Sequence, residues 1–415
     1  MSEPRKAYDA IVVGVGAHGS SILDTLARRG LKVLGIEKYS IAHANGSSHG
    51  NSRIFRTAYI EDPRYVPLLK RSLELWHELQ DYRNNTADLT PATVINMTGG
   101  LMIGDPNSGV VQGTLASVQR HNLEHKLMTA EEIRSTWGGV FAVRDNEVGI
   151  LDQSSGYIVP EAAIETMVHR AVAHGADLKT GTTVASWREE ADKFIVTTDT
   201  GETFTAKKGI LSVGAWANEV YGMNDVLHVE RRVLHWFKPL EPQTIQSFSS
   251  IPVWIWQYDY GSGKQGSAIY GFPHQPNYPH SEGVKVARHG LGEVGTGGTR
   301  DNVVTEPNTL DRDVEEGEIN LMRKILKPLL PGLAGDSIGT EVCMYTMTPN
   351  EDFLIDSKNS VVYVSPCSGH GFKMASVIGE IVADLVTTGR TVFDISFMSI
   401  EEIRRGAGAK WKQAG

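Results

Sequence analysis

A strand, glycine turn and helix pattern at the front of the chain constrains its fold more than any other feature. Residues 10–13 are a short apolar run, and Gly14, Gly16 and Gly19 follow. The next apolar side chains recur at helical spacing as far as residue 26. The first glycine permits a tight turn, the second lets the backbone approach a pyrophosphate, and the third lets the helix pack on the strand. This pattern predicts the start of a dinucleotide-binding unit.

An acidic residue at the end of the next apolar run supports this interpretation. Residues 32–36 predict a second strand that leads into Glu37, roughly 20 residues after the glycines, where a carboxylate accepts hydrogen bonds from a ribose hydroxyl. The alternative is a glycine-rich turn in an unrelated α/β protein, which leaves the position of Glu37 unexplained. The pattern alone does not distinguish NAD from FAD.

Composition narrows the class of protein. A length of 415 residues suggests two domains. The formal net charge of −9, without a basic cluster, makes nucleic acid and anionic membranes poor partners. Two cysteines provide neither a disulfide framework nor a four-ligand zinc site, which is typical of a reducing compartment. No apolar stretch approaches the ~20 residues of a membrane span. We therefore expect a cytoplasmic chain with no metal and no membrane partner.

Helical and strand patterns alternate along the rest of the chain. Helices are predicted at about 62–80, 110–121, 130–136, 160–174, 315–327 and 372–388, with Pro328 ending the fifth. Strand patterns lie at about 93–103, 176–180, 194–198, 203–206, 209–213 and 361–365. This alternation of helical and strand-rich stretches predicts two domains whose segments are interleaved along the chain.

Five further motifs occur in a fixed order. They are SHGNSRIFR (48–56), YGFP (270–273), CMYT (343–346), FLID (353–356) and SGHGFK (368–373). Together with the glycine turn they resemble the flavin-dependent amine oxidases typified by monomeric sarcosine oxidase and N-methyltryptophan oxidase, within the D-amino-acid-oxidase-like group. The resemblance extends over nearly the whole chain and implies that the dinucleotide is FAD.

The resemblance also implies a fold. We expect an α/β plus α+β architecture, in which a Rossmann-like FAD-binding domain is interleaved with a substrate domain built on a mainly antiparallel sheet. The expected bounds are 1–85, 149–222 and 330–390 for the FAD-binding domain, 86–148 and 223–329 for the substrate domain, and 391–415 for a C-terminal tail.

Cys343 gives the sharpest implication of the resemblance. In the family, the cysteine of CMYT is joined by a thioether to the 8α carbon of the flavin, a reaction that needs a thiolate. The alternative is an inert buried thiol, which describes most free cysteines. Pro366 and Cys367 stand where the family usually has a glycine and an aromatic residue. This departure bears on the local flavin contacts and on the range of substrates.

The substrate contacts follow from the same motifs. Arg56 and Lys373 match the pair that binds the substrate carboxylate, and a buried carboxylate needs paired positive charge. Lys285 matches the lysine that promotes reaction of reduced flavin with dioxygen, although a lysine in an alternating stretch is usually solvent-facing. The resemblance implies that His289 and Tyr270 line the substrate pocket, where ordinary packing is the alternative. Arg53 resembles an arginine near the flavin ring.

The complete predicted site combines these groups. Residues predicted to act in catalysis are Lys285, His289, Tyr270 and Arg53. Residues predicted to bind substrate are Arg56, Lys373, Tyr270, His289 and Tyr345. Residues predicted to contact the cofactor are Gly14, Gly16, Gly19, Glu37, Ser48, Ser52, Arg53, Val184, Cys343, Gly369, His370, Gly371 and Lys373. In the strand around Trp254, Ile255 and Trp256, side chains either line the pocket or form core.

These residues predict an FAD-dependent oxidase that acts on the C–N bond of a small secondary amino acid such as sarcosine or N-methyltryptophan. The expected partners are the amino acid and dioxygen, and relatives suggest a monomer. Two alternatives within the enzyme class are an oxidase of a cyclic imino acid, such as pipecolate or proline, and a dehydrogenase that uses another electron acceptor. A flavin-binding subunit of a larger complex is the alternative from another class.

Overall fold

The computed structural model describes residues 7–223, 225–258, 268–289 and 304–410, with side chains as far as residue 406. The α-helices of the described residues are α1 (Ala17–Arg28), α2 (Val66–Asn84), α3 (Gly109–His121), α4 (Ala130–Thr136), α5 (Pro160–Ala173), α6 (Ala217–Tyr221), α7 (Glu316–Leu329), α8 (Ala375–Thr388) and α9 (Ile400–Lys410). Among these residues, no helix is both long and apolar enough to cross a membrane.

The strands are numbered in chain order. They are β1 (Ala7–Val13), β2 (Val33–Ile36), β3 (Arg53–Phe55), β4 (Ile95–Asn96), β5 (Gly100–Gly104), β6 (Lys126–Thr129), β7 (Val148–Asp152), β8 (Gly156–Ile158), β9 (Asp177–Lys179), β10 (Val184–Glu190), β11 (Lys193–Thr198), β12 (Thr203–Leu211), β13 (His228–Phe237), β14 (Val253–Gln257), β15 (Ala268–Gly271), β16 (Val284–His289), β17 (Ser337–Met347), β18 (Leu354–Lys358) and β19 (Val361–Ser365).

The first sheet contains the predicted dinucleotide-binding unit. Its strands run in the order β10-β11-β12-β1-β2-β9, and β19 joins β12 to β18. β1 lies parallel to both β12 and β2, and α1 follows β1 directly. Helices α5 and α8 pack against α1, so the apolar sides of these helices and of the sheet form one large core. The predicted strand, turn and helix at the front of the chain are confirmed.

The second sheet carries most of the predicted substrate side. Its order is β17-β13-β16-β15-β14-β5-β7-β6. All neighbouring pairs in it are antiparallel except β14 and β5. A small third sheet, β3-β8-β4, lies apart from these two sheets in the hydrogen-bonding pattern. The α/β plus α+β fold with a mainly antiparallel second sheet is confirmed.

Several sequence-based boundaries differ from the structure. The strands β7 and β17 pair within the second sheet, although residues 149–222 and 330–390 were assigned to the FAD-binding side. Residues 203–211 form one strand rather than two. Helix α7 continues one residue past Pro328. Proline removes only the hydrogen bond that its own N–H would make to the preceding turn, so the next residue can still be helical. Within the predicted tail, residues 391–410 are not only a tail, since α9 buries Ile403 in the core on the other side of the first sheet.

Candidate active site

A cavity of about 540 Å³ connects the glycine turn of the first sheet to the face of the second sheet. Val13 and Ile36 mark where β1 and β2 open into it, and Tyr270 and Cys343 come from the second sheet. Ligands bind outside the carboxyl ends of strands in open α/β sheets. The cavity therefore combines a dinucleotide-binding end with a wall of antiparallel strands.

The dinucleotide end depends on close backbone contacts. Gly14 has a φ of 84°, and a Cβ there would lie 2.4 Å from the Ser212 carbonyl oxygen. A Cβ at Gly19 would lie 1.8 Å from the Gly14 carbonyl oxygen, so only glycine lets α1 approach β1 this closely. Gly16 has open space where its Cβ would be. The Glu37 carboxylate lines the cavity and accepts a bond from the Val15 amide at 2.8 Å. The turn, the helix and the acid suit the phosphates and ribose of FAD.

The Cys343 thiol lies among polar groups in the cavity wall. Arg53 Nη2 is 3.6 Å from Cys343 Sγ, and the thiol donates to the Ser47 carbonyl oxygen at 3.5 Å. Burial opposes ionisation of the thiol, but hydrogen bonding to His49 and the charge of Arg53 outweigh it and lower the pKa of Cys343 to about 7. A substantial thiolate fraction near neutral pH suits a nucleophile.

Two buried cations lie close together in the cavity. Arg56 and Lys373 are 3% and 5% exposed, and both line the cavity. Arg56 Nη2 binds both carboxylate oxygens of Glu61 at 2.6 Å. Burial and then the charge of Arg56 lower the pKa of Lys373 to about 7, against the opposing effect of Glu61. Lys373 Nζ donates to the His370 carbonyl oxygen at 2.5 Å. The cluster therefore holds two positive charges and one negative charge when Lys373 is protonated.

Aromatic and histidine side chains support this cluster. The Tyr59 hydroxyl donates to His370 Nδ1, because His370 Nε2 donates to the Glu351 carbonyl oxygen at 3.0 Å. The Arg56 guanidinium lies over the Tyr59 ring at 4.4 Å, and Lys373 Nζ lies 5.4 Å from the same ring. These contacts fix the cations through groups that carry no charge of their own, since burial lowers the pKa of His370 to about 4.

The cavity is also lined by three ring side chains, Tyr270, His289 and Tyr345. The ring centroid of His289 lies 6.4 Å from that of Tyr270 and 6.0 Å from that of Tyr345. Burial lowers the pKa of His289 to about 3, so its imidazole is neutral at pH 7. A neutral imidazole has one nitrogen lone pair available to a ligand donor.

Lys285 lies behind the cavity wall. The residue is 2% exposed, and its Nζ donates to the carbonyl oxygens of Gly50 at 2.5 Å and Ser52 at 2.9 Å. The Ser52 hydroxyl is 3.3 Å away, so three acceptors match the three N–H groups of an ammonium. Burial, followed by the charge of Arg53, lowers the pKa of Lys285 nonetheless. The solvent-facing alternative for this lysine is wrong.

Most of the predicted site residues meet in this one cavity. Those that line it are Gly14, Gly16, Glu37, Ser48, Arg53, Arg56, Val184, Tyr270, His289, Cys343, Tyr345, Gly369, His370, Gly371 and Lys373. Gly19, Ser52 and Lys285 lie behind the lining. In β14, Ile255 lines the cavity, whereas Trp254 and Trp256 are core. Cys367 lines the cavity and accepts a bond from the Thr346 amide at 3.3 Å.

Sequence reasoning missed Glu61, His49 and Glu341. Glu61 pairs with Arg56 across a loop, and no periodicity relates the two positions. His49 stands inside the SHGNSRIFR motif, where it received no role. Glu341 precedes Cys343 by two positions on β17, and strand alternation could have placed it on the same face.

Comparisons with known proteins agree with this geometry. The family model for FAD-dependent oxidoreductases matches residues 9–385. Monomeric sarcosine oxidase of Streptomyces avermitilis is 35% identical over 393 residues, which cover 94% of this chain and 96% of the relative. N-methyl-L-tryptophan oxidase of Escherichia coli is 29% identical over 396 residues, with coverage of 94% and 97%.

Among solved structures, the chain is similar to NikD, an unusual amino acid oxidase essential for nikkomycin biosynthesis. The TM-score is 0.77 at 24% identity, and the match covers 95% of this chain and 97% of NikD. At that identity the likeness shows the fold alone. The resemblance derived from the motifs is confirmed by the family model and the relatives together.

Proposed function

Since the chain belongs to the FAD-dependent oxidoreductase family, we propose that it oxidises the C–N bond of a small secondary amino acid to an imine, with dioxygen as the electron acceptor. The names of the relatives suggest sarcosine or N-methyltryptophan as the first substrates to test. The observation that carries the proposal is the pair of buried cations, Arg56 and Lys373, in the same cavity as the dinucleotide-binding turn.

FAD fits the residues that line this cavity. Gly14 and Gly16 would accommodate the pyrophosphate, and Glu37 would bind the ribose. Cys343 would hold the flavin ring through a thioether, beside Arg53. When bound, FAD supplies the two-electron oxidant. The segment from Gly369 to Lys373 precedes α8, and its amides would face the polar edge of the ring.

The protein side chains bind and orient the amino acid. The carboxylate of the substrate binds Arg56 as a bidentate partner and Lys373 as a point charge, and it competes with Glu61 for the arginine. The amine lies towards His289 and Tyr270. Only a neutral amine is oxidised, and the neutral imidazole of His289 can accept a hydrogen bond from the N–H of that amine.

Lys285 is proposed to assist the reaction with dioxygen. Its ammonium is held by backbone carbonyls close to Ser52, between the rings of Trp236 and Phe272 at 5.4 and 4.9 Å. A fixed cation in a water-excluded site stabilises negative charge that develops nearby. The role therefore requires the charge, and not only the length, of this side chain.

The test is a peroxide-release assay on the purified full chain. The substrates are sarcosine, N-methyl-L-tryptophan, L-pipecolate, L-proline and a primary D-amino acid. We expect peroxide with one of the two N-methyl compounds. Peroxide only with a cyclic imino acid would show that the substrate is a cyclic imino acid and not an N-methyl amino acid. Anaerobic bleaching of the flavin without peroxide would show a dehydrogenase. If no compound gives either peroxide or bleaching, the proposed reaction is refuted.

A further inference from the structure

A buried arginine that has no predicted role lies behind the cavity wall. Arg232 on β13 is 4% exposed. Its Nη2 forms an ion pair with Glu230 Oε2, and its guanidinium lies over the Tyr345 ring, 4.7 Å from the centroid. Within the described part of the chain, Arg232 Nε and Nη1 are buried and make no hydrogen bond. A buried cation with so few hydrogen bonds costs folding free energy, so stability does not explain its position.

The strand register places Arg232 on the face of the second sheet that forms the cavity wall. β13 pairs Arg232 with Cys343 of β17, and Leu234 is two positions further along β13. Side chains directly opposite each other leave the same face, and alternate residues of a strand share that face. Cys343 and Leu234 line the cavity, as does Tyr345, whereas Arg232 lies behind the lining. The guanidinium therefore contacts the Tyr345 ring from behind the wall.

The Tyr345 ring is held on several sides. Its centroid lies 6.0 Å from that of His289. A Cβ at Gly369 would lie 2.5 Å from Tyr345 Cε2, so the glycine leaves room for the ring. Burial raises the pKa of Tyr345 well above its usual value, which keeps the ring an uncharged phenol whose face attracts the guanidinium. The ring is therefore confined by Arg232, by the backbone at Gly369 and by His289.

Glu230 fixes the guanidinium of Arg232 in place. The glutamate is 8% exposed, its Oε1 lies 3.0 Å from His228 Nε2, and its Oε2 accepts the bond from Arg232 Nη2. Glu230 is opposite Tyr345 in the pairing of β13 with β17, so the ion pair and the ring lie side by side in the sheet. A planar guanidinium stacks on an aromatic ring, whereas a lysine ammonium is a point charge. The contact with Tyr345 therefore requires an arginine and not only a positive charge.

We propose that Arg232 is a positioning residue that fixes the Tyr345 ring at the cavity wall and thereby limits the width of the substituent that a substrate carries beside His289. The inference rests on the proposed function in placing the amino acid in this cavity. A narrow substituent fits beside the fixed ring, and a wider one must displace the ring. Loosening the ring should therefore favour wide ligands and leave the carboxylate contacts of Arg56 and Lys373 unchanged.

The first readout is the ring itself. The full-length holoenzyme is labelled with fluorotyrosine, and the fluorine NMR resonance of Tyr345 is assigned by its loss in Tyr345→Phe. Arg232→Lys should move or broaden this resonance, because the guanidinium beside the ring is lost. Arg231→Lys is the matched control and should leave the resonance in place. Arg231 is the neighbouring arginine of β13, is equally buried and ion-paired with Glu318 at 2.6 Å, and leaves the other face of the strand.

The second readout is the ratio of two dissociation constants, both measured from the flavin absorbance. Acetate carries a carboxylate on a methyl group, whereas indoleacetate adds a wide ring. Arg232→Lys should lower the Kd of indoleacetate relative to that of acetate by roughly 3- to 30-fold, as expected for loss of a cation–ring contact. In a Tyr345→Leu background the same substitution should no longer change the ratio, because its effect passes through the ring.

Thermal unfolding identifies variants that lose the fold. If Arg232→Lys does so, the double variant with Arg232→Met and Glu230→Gln takes its place. This pair of substitutions removes both charges of the ion pair and leaves no unpaired carboxylate in the interior. The double variant should change the resonance and the ratio of the two Kd values in the same direction.

The outcomes separate the inference from the proposed function. A Tyr345 resonance that stays in place, or a ratio that stays constant or rises in Arg232→Lys, overturns the inference. An equal effect of Arg231→Lys, or an undiminished effect in the Tyr345→Leu background, also refutes it. If no amino acid is oxidised, the proposed reaction fails, and the resonance and the two carboxylates still decide the role of Arg232. If neither carboxylate changes the flavin absorbance, the resonance decides alone.

Discussion

The low pKa of Lys373 predicts that binding of a carboxylate weakens as pH rises. Burial and Arg56 lower this pKa to about 7, so half of the lysine is neutral near that pH. A carboxylate ligand prefers the ammonium and must take up a proton to form it. The Kd of a simple carboxylate such as acetate should therefore be roughly tenfold higher at pH 8 than at its low-pH limit, and the rise should level off above pH 8 at the weaker affinity that remains when Lys373 is neutral.

Acetate is the right probe because it has no amine, whose own titration makes substrate oxidation rise with pH. The groups next to Lys373 do not titrate between pH 6 and 9. Burial lowers the pKa of His370 to about 4 and that of His289 to about 3, and Arg56 and the other nearby cations keep the Glu61 carboxyl ionised. Lys373 is thus the group of this cluster that titrates in the assay range.

The measurement is a titration of the flavin absorbance with acetate at several pH values. Lys373→Met should bind acetate roughly 10- to 100-fold more weakly at pH 6, as expected for loss of a charge-assisted hydrogen bond, and should show a flat profile. Lys358→Met, at an exposed position on β18, is the control and should keep the steep profile. A flat profile in the unmodified protein, or a steep one in Lys373→Met, would refute the assignment.

Four further substitutions test other parts of the site. Lys285→Met should slow reoxidation of the flavin far more than its reduction, measured by stopped flow, and equal loss in both half-reactions would contradict a role with dioxygen. Gly19→Ala should destabilise the fold by about 1–3 kcal/mol in denaturant unfolding, whereas Gly16→Ala, with open space at its Cβ, should keep stability and weaken FAD binding. Ile255→Ala should lower KM for the bulkier of two N-methyl amino acids relative to the smaller, and a uniform change would exclude it from the substrate wall.

Local patterns predicted the elements well because their causes are local. The apolar spacing of α3 and α4 and the glycine turn before α1 each depend on neighbouring residues, and the structure has these elements within one residue of the prediction. Strand β10 was missed, since its sequence VASWREE is largely exposed and polar and shows no continuous apolar run.

The features that local patterns did not predict depend on long-range pairing. Strand β7 pairs with β5, more than 40 residues earlier in the chain, and β17 pairs with β13, at least 100 residues earlier, so local patterns do not predict that β7 and β17 join the second sheet. The pairing of Arg56 with Glu61 and that of His49 with Glu341 also depend on loop conformation, which has no period. Positions of the predicted site residues were recoverable from motifs, whereas the groups that tune their charges were not.

The interleaving of the two sheets has a consequence for how the protein is made. The glycine turn and Glu37 leave the ribosome early, but Cys343 and the segment ending at Lys373 belong to the last fifth of the chain. At about 5–20 residues per second, roughly 20–70 s of synthesis separate the two ends of the cofactor cavity. The central strand β12 also pairs with β19, so this part of the first sheet forms only after residues 361–365 have been synthesised. We therefore expect stable flavin binding only after residue 373 has been synthesised, and a nascent chain stalled before residue 343 should not retain flavin.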